Sequence, residues 1–184
     1  MRARYPSVWE PTNLMYVSSF IQDRYRGNLE VQILDGFFDS DEQILNKISG
    51  SDYVGFSGTT PQVPHIKKLS KLVKAEYPSM KSIAGGYGPS LQPFLFLNDP
   101  SIDYLIVGEG EQSMLDILNG VATQKLVSNQ PIMDVDSIPN PDRDSIDLNR
   151  YISIAEKDEG RRVTSIMTER GCAFGCTFCA EGEF

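Results

Sequence analysis

Three short apolar runs constrain what this chain can fold into. They are Tyr53-Val54-Gly55-Phe56, Met80 to Ala84, and Tyr104-Leu105-Ile106-Val107. Each runs straight into small residues: Ser57-Gly58-Thr59-Thr60, then Gly85-Gly86-Tyr87-Gly88, then Gly108-Glu109-Gly110-Glu111. A segment with helical spacing follows each loop. Short strands without polar alternation are buried on both faces, which points to a parallel sheet covered by helices. Right-handed crossovers make this an α/β, Rossmann-like, doubly wound sheet. Ligands of such sheets sit at the carboxyl ends of the strands, and glycines there let a bulky ligand approach the backbone. The three loops therefore form one candidate binding edge.

The remaining elements follow from period and punctuation. Residues 12–25 read as a helix capped by Thr12 or Asn13, with Leu14, Val17, Ser18, Ile21 and Tyr25 on one face. Leu29 to Leu34 reads as a strand and Asp41 to Ile48 as a helix. Residues 61–77 give a helix with Val63, Ile66, Leu69, Leu72 and Val73 inward, and further helices fall at 89–97 and 113–121. Pro131, Pro139 and Pro141, among Asp134, Asp136, Asp142, Asp144 and Asp147, mark an extended, solvated linker. Residues 151–155 and 162–168 read as two strands joined at Lys157 to Gly160. The expected organisation is a sheet domain over 1–128, an acidic Pro-rich linker over 129–150, and the start of a second domain over 151–184.

Net charge is −8, which argues against nucleic-acid partners, since sequence-independent binding needs clustered Lys and Arg. No apolar run is long enough for a membrane span, and Met1 to Pro6 lacks a signal-peptide core, so a cytoplasmic protein away from membranes is expected. The three cysteines, Cys172, Cys176 and Cys179, are spaced C-x3-C-x2-C. An odd count without a leader disfavours a disulfide framework. Three thiolates on one loop can converge on one metal centre. A structural zinc site is the rival reading, although zinc sites usually pair two knuckles.

The segment Glu169-Arg170-Gly171-Cys172-Ala173-Phe174-Gly175-Cys176-Thr177-Phe178-Cys179 resembles the cluster loop of radical S-adenosylmethionine enzymes. The resemblance implies a [4Fe–4S] cluster on the three Cys with one iron left open. It implies S-adenosylmethionine on that iron, Phe178 beside the adenine, a 5′-deoxyadenosyl radical, and a reductant such as flavodoxin or ferredoxin. Ser165 to Gly171 looks like that family's first barrel strand and the approach to its cluster loop. The upstream part is similar to the cobalamin-binding domain often fused to this family. Ser57-Gly58-Thr59 and Gly85-Gly86 match two of its signatures, and Val107 to Glu111 and Ile138 to Asp144 are typical of the fusion. Its Asp-x-His-x-x-Gly signature is absent: the corresponding loop reads Pro6-Ser7-Val8-Trp9-Glu10-Pro11. Any bound cobalamin would thus lack a protein His from that motif. Only Ala3-Arg4-Tyr5 is left for a first strand, and the chain ends soon after Cys179. A fragment that would not turn over alone is therefore expected.

Each residue also has a plainer role. Ser57, Gly58, Thr59 and Thr60 could contact cobalamin or merely cap the next helix. Gly85 and Gly86 could admit a ligand or form a tight turn. Gly108 and Glu109 form only a partial dinucleotide signature, and Glu109 could simply be a helix N-terminal acid. Phe178 could anchor its loop, His65 reads as a surface or packing residue, and Asp35 as a turn residue. Trp9 could line a corrin ring or pack inside. The functional reading is a radical enzyme for methyl transfer or oxidative cyclisation. The alternatives are a cobalamin or nucleotide carrier without its own catalysis and a zinc-stabilised interaction protein.

Overall fold

The computed structural model describes residues 8–179. Four parallel strands lie in sequence order: β1 (Tyr53–Ser57), β2 (Lys81–Gly85), β3 (Tyr104–Ile106) and β4 (Leu126–Val127). Parallel neighbours need a crossover, and helices supply it. The helices are α1 (Thr12–Arg24), α2 (Asp41–Lys47), α3 (Val63–Glu76), α4 (Tyr87–Leu91), α5 (Phe94–Leu97), α6 (Gly110–Leu118) and α7 (Leu148–Glu159).

Alternation along the strands splits the core in two. Phe56, Ala84 and Leu105 face one way and pack with Ile66, Leu69 and Val73 of α3 and with Ile44 and Ile48. Ile83, Ile106 and Val127 face the other way and pack with Ile117 of α6. Behind them, Phe20 and Ile21 of α1 meet Leu115 of α6. Helices therefore cover both faces of β2 and β3, whereas β1 is buried on its Phe56 side only.

Several sequence expectations are corrected. Residues 29–34 form no strand among the described residues. Their apolar side chains do pack: Leu29 and Val31 sit against the Phe20 cluster and Leu34 against the Phe56 side. Alternation places side chains, but a strand also needs a neighbour's backbone. Ala3-Arg4-Tyr5, the expected first strand, lies outside the described residues, as do Pro6 and Ser7 of the following loop. Residues 151–155 are helical, not extended, within α7. Tyr-Ile-Ser-Ile-Ala reads at either period, and the buried pair Tyr151 and Ala155, four apart, fixes the helical one. Gly160, at φ +75°, ends that helix. Residues 162–168 run without a ladder partner among the described residues, so the expected barrel strand is not formed here.

Smaller differences have local causes. Pro93 divides the expected 89–97 helix into α4 and α5. β4 was not foreseen, because two residues carry no period. On α1 Ser18 and Ile21 are buried as expected, but Met15 and Phe20 join them while Leu14, Val17 and Tyr25 are only partly buried, and Leu72 of α3 is exposed. Ser40 starts α2 with a capping box to Gln43. Asp35 does serve a turn, accepting the Phe37 amide at 2.8 Å, and it also accepts the Tyr151 hydroxyl at 2.7 Å. No helix among the described residues is long and apolar enough to cross a membrane.

Asp103 stitches the amino-terminal end of the sheet. It accepts the Ser82 amide at 2.7 Å and pairs with Lys74 at 2.6 Å and Lys81 at 3.6 Å. Burial alone would raise its pKa, but the hydrogen bonds from Lys74 and Ser82 and the two lysine charges outweigh it and hold the carboxyl below the usual carboxylate range. A depressed folded-state pKa contributes stability above the unfolded value and loses it as pH falls through the folded one. Asp103→Asn is expected to cost about 1–3 kcal/mol at neutral pH. Urea melts from pH 7 down to strongly acidic pH should then show a shallower acid decline for the variant than for the parent.

Candidate functional site

The ligand edge is built from three loops that hold one another. Ser57 and Gly85 close β1 and β2 in register. Gly86 has φ +82°, and a Cβ there would lie 2.5 Å from the Ser57 Oγ and 3.2 Å from the Gly58 amide nitrogen. Only glycine meets both demands. The Gly88 amide donates to the Gly58 carbonyl at 2.8 Å, and the Gly108 amide donates to the Ser90 Oγ at 3.2 Å. Asn13, at the start of α1, donates to the Ser57 Oγ at 2.7 Å. Thus Ser57, Gly58, Gly85, Gly86 and Gly108, which the sequence singled out, do converge on one edge.

Other expected site residues have local duties. The Thr59 amide donates to Gln62 Oε1 at 2.7 Å, so Thr59 starts the helical turn Thr60–Gln62 ahead of α3, and both Thr59 and Thr60 remain exposed. Glu109 is the N-cap of α6, but its carboxylate accepts the Ile132 amide at 2.9 Å. His65 is bonded to Asp41 at 2.7 Å on the surface. Trp9 is half exposed.

One face of the edge is bare. Tyr53, Gly55 and Ser57 share a face of β1, in register with Lys81, Ile83 and Gly85. A Cβ at Gly55 would meet nothing within 4 Å, and one at Gly85 would touch only Ile106, its Cβ at 3.5 Å and its carbonyl oxygen at 3.9 Å. Gly55 and Gly85 thus leave a shallow trough beside the Ser57 hydroxyl, bordered by Ile83 and Ile106. Such a trough suits a flat organic group, with hydroxyl and peptide groups at its rim to meet amides. The chain's sole imidazole, that of His65, is engaged with Asp41 at 2.7 Å, so this face offers a bound metal no histidine.

The cysteine loop adjoins this edge through residues that sequence reasoning missed. Glu10, from the loop before α1, is buried and accepts hydrogen bonds from the Thr164 Oγ1 at 2.7 Å, the Ser165 hydroxyl and the Ser165 amide. Burial would raise its pKa, yet the Ser165 and Thr164 hydrogen bonds lower it overall. Arg143, from the linker, donates to the Thr164 Oγ1 at 3.1 Å and to the Ser165 carbonyl at 2.6 Å. Arg170 donates to the buried Glu111 at 2.5 Å, lies 3.8 Å from Glu109 and stacks over Tyr16 at 4.9 Å. The linker is not simply solvated: Asp142 accepts from Ser18 at 3.0 Å and from Gln22 at 2.8 Å, both on α1. Nothing short-range in the sequence announces pairs this far apart.

Cys172, Cys176 and Cys179 are exposed beyond Arg170, with the Cys179 amide donating to the Cys176 carbonyl at 3.0 Å. Among the described residues no three metal-ligating side chains converge. What suits an iron–sulfur cluster is the donor chemistry, soft thiolates closely spaced on an accessible loop. Phe178 is 92% exposed and anchors nothing among the described residues.

Comparison with known proteins decides the family. The B12 binding domain model matches residues 1–118, well over half of the chain. The chain belongs to the B12-binding domain family. Relatives of this B12-binding chain include an anaerobic magnesium-protoporphyrin IX monomethyl ester cyclase of Rubrivivax gelatinosus, 26% identical over 96% of this chain and 36% of that protein. An uncharacterized methyltransferase of Pyrococcus horikoshii is 26% identical over 92% of this chain and 40% of that protein. A cytidylyl-2-hydroxyethylphosphonate methyltransferase of Streptomyces wedmorensis is 26% identical over 97% of this chain and 45% of that protein. The chain thus spans less than half the length of each of these relatives. In fold, it resembles the N-terminal domain of a hypothetical protein of Thermotoga maritima, with TM-score 0.52 and 20% identity over 70% of this chain and 100% of that one.

Proposed function

We propose that this chain carries the cobalamin site and the cluster loop of a radical S-adenosylmethionine enzyme that performs methyl transfer or oxidative cyclisation. The observation behind this reading is the C-x3-C-x2-C triplet that begins two residues after Arg170, itself held at the ligand edge of a B12-binding domain. When bound, the cluster with S-adenosylmethionine would supply a 5′-deoxyadenosyl radical, and cobalamin would supply a methyl carrier or radical partner.

The chain's own residues would bind and orient. Cys172, Cys176 and Cys179 would hold three irons, and Phe178 would flank the adenine. Ser57, Gly58, Thr59 and Thr60 would meet the amide-rich rim of cobalamin, while Gly85, Gly86, Gly108 and Glu109 would admit and border it. The Gly55 trough would take a flat part of the same molecule. Electrons would come from a small reductant such as flavodoxin or ferredoxin. The relatives named as methyltransferases and cyclases support this pair of outcomes, and the substrate stays open between them.

The test is anaerobic loading of the 184-residue chain with iron, sulfide and hydroxocobalamin, followed by gel filtration. The expected product retains about four irons together with one cobalamin per chain. A chain that holds one zinc as purified and takes up no iron, or that retains no cobalamin, would count against the reading.

A further inference from the structure

The segment that leads into the cysteines has no sheet to belong to among the described residues, yet it is not loose. Residues 163–170 lie along the ligand edge, and every strong contact they make is from a side chain reaching across the fold. At one end Glu10 takes both hydroxyls of Thr164 and Ser165, and Arg143 takes the Thr164 hydroxyl and the Ser165 carbonyl. At the other end Arg170 enters a site made by Glu111, Glu109 and the Tyr16 ring. The two acids hold positions at the edge itself: Glu109 and Glu111 flank Gly110, whose Cα faces Val17 of α1. Between the clamps, Ile166 is 81% exposed and Met167 41% exposed. The clamps therefore hold this stretch without apolar burial at those positions.

The chemistry of the two clamps is unlike ordinary surface pairing. Exposed ion pairs fix little, because water screens them and long side chains move. Here the Arg170 and Glu111 side chains are 17% and 5% exposed, and Glu10 is 7% exposed. Buried charges of this kind tolerate few alternative positions, since an unpaired partner would be left without water. We propose that Glu10 with Arg143, and Glu109 and Glu111 with Arg170, form a two-point latch that fixes the approach to the cysteine loop on the ligand edge. The positioning of a cluster relative to cobalamin rests on the function proposed above; the latch itself does not.

A spin label tests it in the full chain. Ile166→Cys is labelled with a nitroxide in a background where Cys172, Cys176 and Cys179 are Ser. The parent should give a broad, slow line shape. Thr164→Val with Ser165→Ala and Arg143→Ala opens the first clamp, leaving only the long Ser165 amide bond to Glu10, and Arg170→Gln opens the second. With both open, the label should rotate about tenfold faster, toward the nanosecond motion of a free tether. Far-UV circular dichroism should stay near the parent's, while the urea midpoint should fall as Glu10 and Glu111 lose their partners. If Arg170→Gln disturbs folding, the first-clamp variant still decides, with a smaller acceleration of its own. A label already fast in the parent, or one unchanged in the opened variants, overturns the latch.

Cob(II)alamin then separates the two ideas. Its unpaired electron should broaden the label in the parent and broaden it less in the opened variants. Retained cobalamin with no broadening in the parent overturns the positioning role. If the parent retains no cobalamin, the B12 reading and the positioning role both fall, and the line shapes still judge the latch.

Discussion

Replacing Cys172, Cys176 and Cys179 together by Ala is expected to lower the iron of the reconstituted chain from about four atoms to fewer than about one. The broad visible absorbance of the cluster should vanish with it. The expectation is this sharp because these are the chain's only cysteines, so no thiol elsewhere can substitute. All three are exposed, and their loop lies outside the hydrophobic core. The fold should therefore keep its urea midpoint, which makes the loss a statement about ligation alone. Single replacements should be graded, since two thiolates still hold part of a cluster. Equal iron in the triple variant and the parent would mean that the metal is bound elsewhere or only adsorbed. Zinc retained in the parent at one per chain would point to the structural-metal alternative.

The second large effect belongs to the bare face of β1. Gly55→Trp is expected to weaken cobalamin binding by about 100-fold, equivalent to about 2.7 kcal/mol, with little change in folding. Glycine in a strand interior usually weakens it, and often marks a place where something approaches the backbone closely. At Gly55 a Cβ would meet nothing within 4 Å, so a large side chain has room in the free protein. The indole would then lie over the trough beside Ser57 and Gly85, where the ligand is proposed to sit. Gly86 is the contrasting position: a side chain there would strike the Ser57 Oγ and require a backbone conformation that only glycine adopts. A loss of binding at Gly86 would confound folding with recognition, whereas Gly55 separates them. The measurement is a hydroxocobalamin titration followed by its visible spectrum. Undiminished affinity in Gly55→Trp would remove the trough from the site.

How much of this was legible in the sequence depends on the range of the interactions. β1, β2 and β3 are readable as short strands between turn signals, and the small residues after each run mark the carboxyl edge, although β1 is buried on its Phe56 side only. The convergence of Ser57, Gly58, Gly85, Gly86 and Gly108 follows from that topology. Residues 29–34 form no strand because alternation alone does not supply a neighbour's backbone, and residues 162–168 have no ladder partner among the described residues. Residues 151–155 were misread because five residues fit two periods, and only the burial of Tyr151 with Ala155 separates them. The latch was invisible for a different reason. Glu10 and Ser165 lie at opposite ends of the chain, and so nearly do Tyr16 and Arg170. A buried acid in a loop before a helix looks like any other surface acid until the fold brings its partner. The absent histidine was legible as a plain fact of composition, and the geometry adds that the one histidine present is engaged with Asp41.

Cobalamin held on the β1–β2–β3 edge without a protein imidazole is tested most directly by electron paramagnetic resonance of cob(II)alamin on the 15N-labelled chain. After gel filtration the protein should carry cob(II)alamin, and any axial nitrogen splitting should remain that of unlabelled nitrogen, since no protein nitrogen sits on the metal. Cobalamin that elutes entirely apart from the protein, or a splitting that changes to the 15N pattern, would contradict it.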